Sequence, residues 1–531
     1  MTPNEVAAAW PVLSIITFLP AAGAIFILFL NREDTELIRW IGLGVSLFVF
    51  LLSLYLPLTF DASNPALQWV EKGVWIKSFG IQYYMGVDGI SLLLVLLTTF
   101  ITVICMLASW SDITDRLRAY MALFLFTETC SLGVFMAQDL FLFYVFWEAV
   151  LVPMVFIIGI WGGKRKLYSA IKFFLFTFVG SLFMLLGVLA VYYYHGDVTG
   201  LYTFDSTILA LTPIAPEVQY WVFIAFFLGF AVKVPMFPFH TWLPDAHTDA
   251  PTAGSIVLAS VLLKLGTYAF VRFSLPLLPN ASVRLAPFMI GISLFAIIYG
   301  ALVTIAQKDI KRLIAYSSVS HMGFVMLGIF VFNIEGLKGS IMQMINHGIS
   351  TGALFLLMGM IYERTHTRMI GDYTGLFKQM PVYGVAFLVV ALSSMGMPST
   401  NGFIGEIFVL IGAFKASWLF AVVVAVGILL GAVYLLWLFQ RVFLGTYSYT
   451  GRGTLQDLNF RETVTALSLM GLIFWIGLYP RPFLHVMDAS LNRLVNQVEE
   501  NYRQAGMRQN ASKATAMASR TVFTPIKGSG R

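Results

Sequence analysis

The chain has 531 residues, 59% hydrophobic and only 11% charged, with a net charge of +6 and a mean hydropathy of +0.82. Soluble domains carry about 25% charged residues, so a chain this apolar needs lipid rather than water as its main solvent. The basic balance does not mark a nucleic-acid binder, because Lys and Arg sit in short loops and in the tail rather than on one face.

A spanning helix needs about 20 mostly apolar residues. In chain order the candidates are 11–30, 40–58, 89–109, 119–137, 140–160, 168–194, 218–239, 251–273, 286–306, 312–332, 338–361, 382–410, 417–440 and 463–480, fourteen in all. The first follows Glu5 with no Lys or Arg before it. That is a poor start for a cleaved signal peptide, so 11–30 is read as a retained helix. Gln138 and Asp139 alone join the fourth and fifth spans, a tight hairpin. The longest loops, 59–88 and 195–217, are too short for a soluble domain. No Gly-rich dinucleotide fingerprint follows a strand, so NADH and flavin are expected to bind elsewhere. The two cysteines, Cys105 and Cys130, lie in apolar runs. Two thiols cannot hold an iron–sulfur cluster, and they read as packing residues.

One set of alternating loops holds sixteen Lys and Arg and the other holds five. The first set is therefore expected on the cytoplasmic side, with both termini facing outward. The polar tail, 481–531, carries eight Lys and Arg on the side this bias disfavours. The short loops decide, because charge far from the membrane counts little.

Among the ionisable residues inside predicted spans, five stand out: Glu128, Glu148, Lys233, Lys264 and Glu406. Each costs about 2.5–3.5 kcal/mol at the bilayer centre, so such a group usually faces protein or water and has a task. His321 and His347 add groups that titrate near neutral pH. The bland readings are a static buried ion pair for Glu148 and Lys233, a hydrogen-bonded packing residue for Glu128, and core histidines for His321 and His347. Lys264 has no carboxylate on its own helix, and a lone buried Lys is readily shifted toward neutrality, which suits a relay group. Asp245, His247 and Asp249 are expected to cap the helix opening at Pro251 rather than to bind a metal.

Two spans carry breaks. The seventh reads Lys233-Val-Pro235-Met-Phe-Pro238, and the twelfth reads Met395-Gly396-Met-Pro398-Ser-Thr-Asn401-Gly402. Backbone groups freed at membrane depth survive only where protein or water covers them. The breaks are five spans apart and so lie in helices of opposite direction. That pattern predicts an all-α membrane protein with two inverted five-helix repeats, 119–273 and 286–445, each with a broken helix. Residues 1–118 would supply three preceding helices, 446–480 a final helix and 481–531 a polar tail. Lys233 sits at one break and Glu406 just after the other, so charge and break coincide twice. Separating Lys233 from Glu148 would push a proton toward Lys264, and His321 or His347 would bridge to Glu406. Energy must then come from outside the chain.

At these residues the sequence resembles a known family. The stretch VKVPMFPFHTWLPDAHTDAPTAGSIVLASVLLKLGTYAFVR (232–272) and the block AQKDIKRLIAYSSVSHMGF (306–324) resemble the proton-conducting, antiporter-like subunits of respiratory complex I, the NADH:quinone oxidoreductase. The likeness extends over most of 80–445, and the family also includes Mrp-type cation/proton antiporter subunits and membrane-bound hydrogenase subunits. It implies that Glu148 and Lys233 form the input pair, that Lys264 is the central relay and that Glu406 is the exit group. His321 and His347 match relay positions. L- and N-type chains of complex I carry Lys on the second broken helix, whereas the M type carries Glu, so Glu406 points to the M type. The L- and N-type chains would then be partners, with lipid around them. NADH, FMN, iron–sulfur clusters and quinone would belong to partner subunits, leaving no cofactor in this chain. The rivals are an Mrp-type antiporter and a haem-binding electron carrier with His321 and His347 as axial ligands.

Overall fold

In the computed structural model, residues 6–449 and 455–521 are described. Glu5, Arg452 and the last ten residues of the predicted tail fall outside them.

The chain begins with helices α1 (Val12–Phe29) and α2 (Thr35–Ser53). A β-hairpin follows, β1 (Gln68–Ile76) paired antiparallel with β2 (Ile81–Val87). Next come α3 (Leu92–Asp112), α4 (Leu117–Met136), α5 (Leu140–Trp161), α6 (Lys166–Thr199), α7 (Pro216–Lys233), the short α8 (Trp242–Asp249) and α9 (Thr252–Leu277). The second half holds α10 (Pro279–Ile305), α11 (Ile310–Phe330), α12 (Ile334–Thr365), α13 (Pro381–Ser394), α14 (Asn401–Ala416), α15 (Trp418–Phe443), α16 (Phe460–Leu478) and α17 (Arg481–Thr521).

Among the described residues, 12 helices are long and apolar enough to cross a membrane. The two remaining predicted spans, 218–239 and 382–410, are the ones the backbone interrupts. α7 stops at Lys233, and residues 395–400 separate α13 from α14. The sequence explains both stops: Pro235 and Pro238 lack amide donors, and Gly396 and Pro398 break the second helix.

The bundle is ordered by polarity rather than by apolarity. The most apolar windows of α9 and α12 are 100% buried and that of α11 is 94% buried, although these helices carry Lys264, His347 and His321. α2 and α16 bury only 28% and 33% of theirs. Apolar side chains are at home in lipid, whereas polar ones must be enclosed by protein.

Two expectations need correction. The all-α reading missed the hairpin, whose alternating segment QWVEKGVWI (68–76) is short and lies in what reads as a loop. The hairpin is tied to the joint between α4 and α5. Lys72 pairs with Asp205 at 2.6 Å, and the Gln82 amide donates to Asp139 at 3.0 Å. Asp139 also caps α5 by accepting from the amides of Phe141 and Leu142. The polar tail, for its part, is helical through Thr521. Met487, Leu491, Leu494 and Val498 form a stripe at spacings of four, three and four, and all are buried. The stripe packs α17 across α10 and α12. Low average hydropathy hid this amphipathic face.

Candidate functional site

The centre of the site is Lys264 on α9. This helix departs from α geometry twice, with π-helical turns at Leu258–Leu262 and Phe270–Ser274 on either side of it. A π turn shifts the hydrogen-bond register and leaves carbonyls with spare capacity, and such turns gather at functional sites. Here the Ala259 carbonyl accepts from the Lys264 ammonium. The same Nζ lies 2.7 Å from Nδ1 of His347 on α12. Lys264 is fully buried.

From His347 the groups continue laterally. Its ring stands 5.7 Å from that of His321 on α11, centroid to centroid. His321 Nδ1 is 3.5 Å from the Glu406 carboxylate, and its Nε2 is 3.4 Å from the Tyr434 hydroxyl. Glu406 stands on α14 shortly after the second break, with Gln343 Nε2 3.5 Å away. The break itself makes room for it. Gly396 has φ +74°, and a Cβ there would fall 2.2 Å from Glu406 Oε2, so both backbone and space require glycine. Across the break, Asn346 donates to the Asn401 carbonyl at 2.6 Å, and Asn401 Nδ2 returns a bond to the Asn346 carbonyl at 3.3 Å.

A small cavity of about 10 Å³, room for about one water, lies among these groups, lined by both histidines, Gln343, Asn346, Ser350 and Ser394. Five buried polar atoms on its walls have no hydrogen-bond partner: His321 Nδ1, His347 Nε2, Gln343 Oε1, Asn346 Oδ1 and Ser394 Oγ. Buried polar groups are costly unless satisfied, so this wall suits water. It does not suit a porphyrin. A 10 Å³ space is too small for one, and Lys264 and Glu406 already stand 2.7 and 3.5 Å from the two histidines.

The first break is built differently. Lys233 ends α7, and its Nζ sits 5.1 Å from the centroid of the Trp147 ring. It has no hydrogen-bond partner, and neither does Glu148 Oε1. Glu148 faces Ser181 and Lys233, but among the described residues the two charges make no ion-pair contact within 4.0 Å. The static contact pair considered from the sequence is therefore not what the structure holds. The Val232 carbonyl beside the break is satisfied by Trp242 Nε1 at 2.9 Å.

Glu128 stands apart. It is buried on α4 with neither carboxylate oxygen partnered, and Cys105 on α3 is its titratable neighbour. The capping expectation for 245–249 also fails. Asp245 pairs with Lys172 at 2.7 Å and Arg312 at 3.7 Å, Asp249 accepts from Ser169 at 2.6 Å, and no side chain caps α9 at Pro251. His247, read from the sequence only as a capping residue, lies instead close to Lys264. Fully buried and stacked 4.6 Å from Phe355, it has both ring nitrogens unpartnered and Lys311 and Lys264 as charged neighbours. The missed signal was a histidine on the short helix that leads into the Lys264 helix. Beside it, at the start of α9, a cavity of about 280 Å³ is lined by Asp112, Asp249, Thr252, Lys311 and Arg368.

Buried bases and acids linked across interrupted helices define a class, the antiporter-like membrane subunits of ion-translocating complexes. Residues 137–431 match the family described as NADH:quinone oxidoreductase/Mrp antiporter, and residues 15–137 match NADH-ubiquinone oxidoreductase chain 4, amino terminus. NADH-quinone oxidoreductase subunit M of Rickettsia typhi is 44% identical over 496 residues, covering 91% of this chain and 99% of that protein. Respiratory complex I from Thermus thermophilus with bound NADH contains a chain that superposes with a TM-score of 0.81 at 33% identity, over 91% of this chain and 99% of that one. A chain of the Mrp complex from Dietzia sp. shares the fold at a TM-score of 0.80 and 22% identity, over 93% and 99%. The chain belongs to the NADH:quinone oxidoreductase/Mrp antiporter family, on the branch of subunit M, also called chain 4, of complex I.

Proposed function

We propose that this subunit moves protons through its own interior as part of the membrane arm of complex I, along Lys264, His347, His321 and Glu406. The observation that carries the reading is the contiguity of these groups, contributed by four different helices and joined at the two histidines by a polar cavity. Lys264 passes a proton to His347 through the 2.7 Å contact. Water in the cavity links His347 Nε2 to His321 Nδ1, and Glu406 receives the proton beside the second break. His247 and the cavity at Lys311 supply protons to Lys264 from the face rich in Lys and Arg.

Glu148 and Lys233 are the input pair. They are separated in this structure, and when they close the pair holds a proton that parting releases. Glu128 lies off this line. Fourteen spans follow if the two interrupted helices are counted with the twelve continuous ones, arranged as inverted repeats 119–273 and 286–445. The chain itself has no redox role on this reading. NADH, FMN, iron–sulfur clusters and quinone act in partner subunits, and the L- and N-type chains flank this one in the bacterial inner membrane with both termini periplasmic.

The test is Lys264→Ala in the whole enzyme, assayed in inverted membrane vesicles by pH-gradient formation on NADH. Pumping should fall by about tenfold or more, while assembly and electron transfer to an artificial acceptor persist. Normal pumping would remove the relay. The second reading, an Mrp-type cation/proton antiporter, is favoured by the shared fold. Sodium-dependent collapse of an imposed pH gradient by the reconstituted chain would support it.

A further inference from the structure

Eight residues beyond Lys264, about 12 Å along the helix axis, α9 carries Arg272. Its Nη1 and Nη2 hold Asp88 at 2.8 and 2.5 Å. Its Nε donates to the Tyr268 hydroxyl at 3.0 Å, and that hydroxyl donates to the Phe135 carbonyl at 2.8 Å. Asp88 also accepts from the amides of Ile90 and Ser91 at 3.0 and 3.2 Å. Asp88 and Tyr268 are buried, and the Arg272 side chain is 12% exposed. Along α9 between Lys264 and Arg272, the apolar residues Leu265, Ala269, Phe270 and Val271 are all buried.

The two ends of α9 are thus opposites. One opens on the 280 Å³ cavity lined by Asp112, Asp249, Lys311 and Arg368. The other ends in a bidentate ion pair in which all three guanidinium nitrogens of Arg272 are engaged. Proton hopping needs groups that can turn and exchange partners, and a forked Arg–carboxylate pair is rigid and always charged.

The pair is also clamped from outside. Gly89, next to Asp88, donates its amide to Ser490 Oγ on α17 at 3.1 Å. A Cβ on Gly89 would fall 2.1 Å from the Val486 carbonyl oxygen, so only glycine allows α17 to lie this close. From the same stretch of α17, Asp488 pairs at 2.5 Å with Lys338 on α12, the helix that carries His347. α17 therefore grips both relay-bearing helices at the end away from the cationic loops.

We propose that Asp88, Arg272 and Tyr268 seal the proton pathway at that end of α9, held shut by α17, so that a proton on Lys264 leaves sideways toward His347. This rests on the relay reading of Lys264. Asp88 and Arg272 are positioning residues, and their failure shows as leak.

The experiment uses vesicles containing the whole enzyme, with no NADH, and follows the decay of an imposed pH gradient. Asp88→Asn and Arg272→Gln should speed the decay several-fold over wild type, Arg272→Lys should restore much of the barrier, and Ser490→Ala should give a smaller leak. Adding Lys264→Ala to Arg272→Gln should slow the leak again. A leak that ignores Lys264→Ala keeps the seal and removes the relay reading. Assembled Asp88→Asn and Arg272→Gln variants as tight as wild type overturn the seal, whether or not they still pump. If those two variants do not assemble, Tyr268→Phe and Ser490→Ala decide, and wild-type tightness in both overturns it.

Discussion

The two interrupted helices invite comparison. At the first, a lone ammonium hangs beside Trp147 with no hydrogen-bond partner, and its carboxylate counterpart is out of contact. At the second, Glu406 is wired to His321 and Gln343 and seated against a glycine. The first break holds a charge in waiting and the second holds one already connected. A buried charge is costly unless paired, so on the proposed proton path the Lys233 site is the one that stores energy and the Glu406 site the one that receives the proton.

That contrast can be broken by substitution. Glu406→Ala carries the largest expected effect at the breaks, a near-complete loss of pH-gradient formation in assembled enzyme. Glu406→Lys should retain part of it, because a titratable group still faces His321. Equal loss in both variants would mean that the carboxylate itself, and not a proton site, is needed. Next comes Lys233→Ala, which should cut pumping several-fold while sparing the Lys264–His347 contact. Retention of full rate would make the first break a structural feature only. Gly396→Ala should be milder. It places a side chain in the left-handed region at a cost of about 1–2 kcal/mol and pushes on Glu406, so pumping should fall while thermal stability drops slightly. Glu128→Gln should be nearly silent in pumping, because neither oxygen touches the chain of groups around Lys264. A large loss there would redraw the path through α4.

Much of this was legible in the sequence. Hydropathy placed the spans, Pro235, Pro238 and Gly396 placed the breaks, and the rarity of charge in apolar runs picked out Lys264 and Glu406. What escaped depends on tertiary structure. The hairpin at 68–87 has strand-like alternation, but tertiary bonds, to Asp205 and Asp139 and from the amides of Leu13 and Gln138, hold it in place. The stripe on α17 is too sparse to raise mean hydropathy. His247 sits among residues with good capping chemistry, and only the fold shows that Asp245 and Asp249 are occupied elsewhere. The gap between Lys233 and Glu148 is a matter of side-chain geometry, which spacing does not report.

The two wide turns of α9 have a mechanical consequence. Each π turn contains one residue more than an α turn would, so the rod carries slack at both ends of Leu263–Ala269. The Leu263–Ala269 piece that carries Lys264 is therefore indexed to the rest of the rod through a wide turn at each end rather than by one continuous α ladder.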